Sequence, residues 1–218
     1  MIFFSAPINN GSDYKKDRYR LNSNQVDKEL MDNKILICHP DTLSTALLAV
    51  HVKVEQEPLG SLHLSYELTG DLAQIRIPAP LSPAAVDGLW EHTCFEVFVA
   101  VAGEAGYHEF NFSPSGQWAA YAFSDYRVRR AWTASQTPAI SFTQTHGHLQ
   151  LEAVIAAADL PRNIASKPLQ LGLAAVIEAS DGSLSYWALH HPEPARPDFH
   201  HRSGFILSLN QLLQIRER

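Results

Sequence analysis

From residue 34 onward, apolar and polar side chains alternate with the two-residue period of β-strands rather than the longer period of helices. Leu62, Leu64, Tyr66 and Leu68 alternate with His63, Ser65, Glu67 and Thr69, which describes a strand with one dry face. The run 46–56 is apolar and β-branched. Gly70-Asp71 signals a turn, and 72–77 reads as a short strand after it. Pro78, Pro80 and Pro83 cannot continue a ladder, so 78–83 is expected to be a crossing loop. Three strand-like runs follow at 89–99, 107–113 and 117–123, and further strands are expected at 140–145, 149–155, 169–178, 184–188 and 205–209. Asp181-Gly182 carries a hairpin signal. The stretch 156–160, stopped by Pro161, is the one helical turn expected in the domain. Many short strands without intervening helices predict an all-β chain folded as an antiparallel β-sandwich.

Residues 1–33 break this pattern. They are dense in Asn, Asp, Lys and Ser, with no apolar period. They are expected to form a disordered extension, with Met31 an alternative start of translation and 34–218 a single domain. The apolar stub at the N-terminus is too short for the core of a secretion signal, and its charges follow rather than precede it. No run approaches the apolar length of a membrane span. Cys38 and Cys94 are the two cysteines, far apart and outside any CxxC spacing. The expectation is a cytoplasmic protein with reduced thiols.

Alternation also sorts side chains by face. In 107–113, Phe110 and Phe112 belong to the apolar row, which sends Glu109 and Asn111 to the opposite surface. In 93–101, Phe95, Val97, Val99 and Val101 are the uniform core row, with Glu96 on the other. A carboxylate among such neighbours is held either by a partner or for a ligand. Trp118 shares a row with Ala120 and Ala122. It reads equally as a stacking platform beside small neighbours or as core filling.

Charge and motifs narrow the chemistry. The net charge is −6, and 17 Lys and Arg residues form no stripe, so nucleic acid and anionic membrane are not expected partners. Hydrolase, phosphate-loop and dinucleotide motifs are absent from the sequence. Glu96 and Glu109 could act as a glycosidase pair if they converge, or could simply hold hydroxyls. His190, His191, His200 and His201 flank Asp198 in a Pro-rich stretch. Their spacing matches no structural zinc site, so a solvated or ligand-contacting loop is preferred and no metal is expected. Arg127, after Tyr126, could clamp a hydroxyl-rich or anionic ligand with its fork of donors, or could only pair with a surface carboxylate.

LWEHTCFEVFVA, YHEFNFSPSGQWAAYAF followed by Tyr126-Arg127, and SYWALHHPEPARPDFHH resemble the DOMON-like bacterial proteins. These are related in fold to family-nine carbohydrate-binding modules and to DOMON heme- or sugar-binding domains. The resemblance spans about residues 36–209. It implies a jelly-roll-like sandwich whose concave face binds a small ligand, typically a sugar or a heme, and it does not imply an enzymatic activity. The expected function is therefore non-catalytic binding of a small molecule, a carbohydrate first, with the protein partner unassigned. The expected ligand-binding set is Trp90, His92, Glu96, Glu109, Asn111, Trp118, Tyr121, Arg127, Trp187, His190 and His200. No cofactor is expected. Heme through His92, His190 or His200 is the alternative, although Met1 and Met31 lie outside the domain and remove a Met/His axial pair. Calcium lacks an oxygen-rich loop resembling an EF-hand. Glycoside hydrolysis by Glu96 and Glu109 is the second alternative.

Overall fold

The computed structural model describes residues 33–44, 46, 48–163 and 167–209. The expectations for residues 1–32, disorder and an alternative start at Met31, lie outside the described residues. Among the described residues, twelve strands run in chain order: β1 (Lys34–Cys38), β2 (Leu48–Gln56), β3 (Leu62–Gly70), β4 (Cys94–Val101), β5 (Tyr107–Phe112), β6 (Trp118–Asp125), β7 (Val128–Arg130), β8 (Ala139–Thr145), β9 (His148–Ile155), β10 (Leu169–Glu178), β11 (Leu184–Ala188) and β12 (Leu207–Leu209). Every strand pairing is antiparallel.

The ladder runs β7-β6-β5-β4-β10-β11-β1-β2-β3-β9-β8, with β12 added beside β10. It folds over at β1, whose Lys34–Leu36 half pairs with β2 and whose Ile37–Cys38 end pairs with β11. One sheet thus becomes two layers of a sandwich. Val50, Val52, Leu64, Tyr66, Leu149 and Leu151 from one layer meet Phe95, Val97, Phe110, Phe112, Leu171 and Leu173 from the other in a single core. Tyr66 crosses that core and donates its hydroxyl to the Glu96 carbonyl at 2.7 Å, which satisfies a fully buried phenol.

The two layers differ in their outer faces, and this positions the site. On β2 and β3 the outward row is polar and half-buried, as their clean alternation requires. On β4 and β5 every residue is buried, outward row included. Two loops cover that outer face. Residues 76–93 bring Leu89 onto Cys94 and Ala119, and residues 189–206 bring Phe199 and Phe205 onto Phe98, Ala100, Tyr107 and Phe123. Gly172 on β10 makes the second cover fit, because a Cβ there would lie 2.7 Å from the Phe205 ring.

Four local expectations are corrected. Residues 72–77 are not a strand: Leu72–Gln74 is a 3-10 turn that Asp71 caps, and Ile75 alone bridges, to Ala179. The run from Leu89 begins as a 3-10 turn, Leu89–Glu91, with β4 starting at Cys94. The turn at Ala157–Asp159 exists, but 3-10 turns also occupy Pro40–Thr42, Leu72–Gln74, Leu89–Glu91 and Arg202–Gly204. Three-residue turns of this kind carry no periodicity to detect. The short β7 follows a β-bulge at Phe123–Asp125 and was not expected.

Candidate functional site

Register builds the site. Glu96 pairs with Asn111, Phe98 with Glu109, and Glu109 with Tyr121, so these side chains emerge on the outer face of β4, β5 and β6. Glu96 and Glu109 therefore share that face. Tyr186 on β11 lies opposite Val176 on β10 and adds the far wall. Between the two covering loops remains a cavity of about 330 Å³. Its floor is Glu96, Glu109, Phe98 and Val176. Trp90, Tyr121, Phe123, Tyr186 and Phe199 wall it, and Arg127, Arg129, Pro197 and His200 complete the lining.

The floor is polar and nearly dry. Glu96 and Glu109 are 3% and 5% exposed, and Asn111 is fully buried. Asn111 donates its amide to Glu109 Oε1 at 2.9 Å. Glu96 Oε1 and Asn111 Oδ1 are buried without a hydrogen-bond partner. Burial pushes the Glu96 carboxyl well above the usual carboxylate range, and the charge of Glu109 raises it further. Glu109 is pushed up to about 7 by burial, against the Asn111 hydrogen bond and the Arg129 and Arg127 charges that lower it. The two glutamates therefore titrate as a pair, with the better-supported Glu109 ionising first.

The strap 197–201 closes one side. Asp198, buried to 6%, accepts from the Tyr126 hydroxyl at 2.7 Å, from Arg127 Nη2 at 2.9 Å and from the His200 backbone at 3.1 Å. Arg127 has a left-handed backbone (φ 54°), unusual for a side-chain-bearing residue. That conformation aims its N–H at the Tyr107 hydroxyl, 3.1 Å away. Tyr107 in turn donates to His200 Nδ1 at 2.8 Å, leaving Nε2–H directed at Glu109 Oε2, 3.6 Å away. Burial, with the Arg127 charge, drops the His200 imidazole to about 4, so it is neutral near pH 7. On the opposite rim, the Arg129 guanidinium stacks 3.7 Å above the Tyr121 ring, whose hydroxyl donates to Asp87 at 2.6 Å.

Of the expected residues, the structure gathers Trp90, Glu96, Glu109, Tyr121, Arg127 and His200 on the cavity, with Asn111 beneath them. It does not gather the other four. Trp118 lies opposite the core residue Phe112 and joins the sandwich core at 8% exposure. Trp187 also points into the core, donating its indole N–H to Ser185 at 3.0 Å. His92 binds the Glu178 carboxylate at 2.8 Å, beside Arg76, and does not line the cavity. His190 is exposed, and its neighbours serve structure: His191 meets the Ile37 carbonyl and His201 caps the turn at Arg202–Gly204. Of the three histidines named for heme, His200 alone lines the cavity. Both nitrogens of His200, the one at the cavity, already face protein groups.

Sequence reading missed Phe98, Phe123, Arg129, Tyr186 and Phe199 as lining residues. Phe98 was findable, since it shares the row of Glu96. Tyr186 and Phe199 arrive from the distant stretch SYWALHHPEPARPDFHH that carries the resemblance, and no alternation there marks them as lining residues.

No protein-family model and no curated protein matches the chain. Solved structures do match it. A Bacteroides uniformis protein provisionally described as carbohydrate-binding superposes with a TM-score of 0.59 at 16% identity, covering 85% of this chain and 89% of that one. A family-nine carbohydrate-binding module from Caldicellulosiruptor kristjanssonii, in complex with cellotriose, gives 0.50 at 10% identity, covering 84% and 83%. At such identities the likeness establishes the β-sandwich fold and nothing finer.

Proposed function

We propose that this chain is a non-catalytic carbohydrate-binding module that holds its ligand in the cavity over β4, β5 and β6. One observation carries the reading: Glu96, on the floor of an aromatic-walled cavity, keeps its Oε1 buried without a partner, and Asn111 Oδ1 beneath that floor is likewise unpartnered. A sugar supplies hydroxyl donors to such acceptors and apolar C–H faces to the rings. The fold shared with a module crystallised with cellotriose supports it. The kinship with DOMON-like bacterial proteins is part of the same proposal and rests on the sequence motifs. A cytoplasmic setting, expected from the sequence, is likewise part of the proposal.

The test is a fluorescence titration with glucose, cello-oligosaccharides and storage and cell-wall sugars. Of the four tryptophans, Trp90 is the one on the cavity wall. Saturable quenching that disappears in Trp90→Phe, with the sugar recovered unhydrolysed, is the expected result. A flat response to every sugar overturns carbohydrate binding. Turnover abolished by Glu96→Gln or Glu109→Gln overturns the non-catalytic assignment instead.

A further inference from the structure

The cavity's fixed charges do not balance. Asp198 holds Arg127 at 2.9 Å, and Asp87 lies 3.7 Å from Arg129, so both guanidinium groups are matched at the rim. The two glutamates on the floor have no such partner. Glu109 meets the Asn111 amide and, at 3.6 Å, an imidazole that stays uncharged near neutrality. Glu96 Oε1, on a side chain almost entirely buried, meets nothing. Tyr66, Cys94, Tyr107, Tyr121 and Tyr186 surround the pair, and burial holds each of them neutral by raising its ionisation. The Arg129 and Arg127 charges, already engaged by Asp87 and Asp198, offset this only in part, so the floor carries negative charge that is relieved by retaining a proton.

We infer that the cavity prefers a sugar bearing a free ammonium group, a hexosamine-like polyhydroxylated amine, over its neutral counterpart. This rests on the carbohydrate reading above. A neutral sugar supplies hydroxyl donors and leaves the buried charge as it was. An ammonium supplies three N–H donors, enough for Glu96 Oε1, Asn111 Oδ1 and a Glu109 oxygen, together with the positive charge the floor lacks. The surrounding rings favour a cation further, because their faces are electron-rich. As the ammonium enters, the proton held by the glutamates leaves to solvent, so the net charge of the site is conserved.

The experiment is calorimetric titration of the full chain with glucosamine, glucose and N-acetylglucosamine at about pH 6.5, where an alkyl ammonium is charged. It is run in two buffers of different ionisation enthalpy. Glucosamine is expected to bind at least about tenfold more tightly than either neutral sugar and to release about one proton. In Glu96→Gln and, independently, Glu109→Gln, glucosamine affinity is expected to fall further than glucose affinity, bringing the preference to within about twofold. Glucose binding as tightly as glucosamine overturns the inference and leaves the carbohydrate reading intact. Silence from all three sugars also overturns it, and the wider panel described above then decides the carbohydrate reading alone.

Discussion

Glu96 and Asn111 stand directly opposite one another on β4 and β5, and each keeps a buried side-chain oxygen without a partner. Two facing acceptors are tolerable in a dry site only when a proton or a ligand donor lies between them. Burial and the neighbouring Glu109 charge favour the acid form of Glu96, which lessens the charge held in the dry floor. The floor is therefore a polar site suited to exchanging its own proton for a ligand's donors.

The pH dependence of stability follows from opposite shifts. Glu109 is raised from 4.5 to about 7, so its contribution destabilises the fold progressively as pH rises between those values. His200 is lowered from 6.5 to about 4, so its contribution costs stability as pH falls through that range. The two oppose each other between pH 4.5 and 6.5. Denaturant titrations of Glu109→Gln should show the variant gaining on the wild type by about 3 kcal/mol as pH rises from 4.5 to 7. A constant difference between the two proteins over that range removes the linkage.

The three tryptophans named as ligand contacts should separate by assay. Trp118→Ala and Trp187→Ala each empty a core position and should cost about 3–5 kcal/mol in denaturant unfolding. Trp90, 39% exposed, should change stability by less than about 1 kcal/mol when cut to Ala, yet lose most of the ligand affinity. A Trp90→Ala protein that binds normally moves the ligand away from this wall.

Asp198 should matter as the anchor of the strap rather than as a ligand contact. It collects three hydrogen bonds, from Tyr126, Arg127 and His200. Asp198→Ala should cost about 2 kcal/mol and raise amide hydrogen exchange across 197–201. Unchanged exchange there would mean that packing of Phe199 alone holds the strap.

Gly172 and Phe205 should be coupled. A methyl at residue 172 collides with a ring that packs 5.6 Å from both Phe98 and Tyr107. Gly172→Ala should destabilise by about 1–3 kcal/mol, and combining it with Phe205→Leu should recover part of that loss. Strictly additive costs would show that the two do not share space.

Much of this fold is legible in the chain because strand faces repeat every two residues. The 107–113 alternation sends Glu109 and Asn111 outward, and the apolar row of 93–101 does the same for Glu96. Trp118 shows the limit of one strand read alone. Both rows of 117–123 are apolar, so only the pairing of Trp118 with the core residue Phe112 decides its face. The 3-10 turns at Leu72–Gln74 and Leu89–Glu91 are too short to carry a period.

By itself, then, the sequence determined the all-β class, most strand positions and the outward direction of three floor residues. Those properties are local, written in alternation and in turn residues. Only the tertiary structure decided that Tyr186, Phe199 and His200 join Glu96 and Glu109 around one cavity, and that His92, His190, Trp118 and Trp187 do not. Strand order, the fold-over at β1 and the descent of the 189–206 loop set those proximities, and each depends on packing between segments far apart in the chain. The same packing removes water from the two glutamates, and that desolvation is what shifts their protonation.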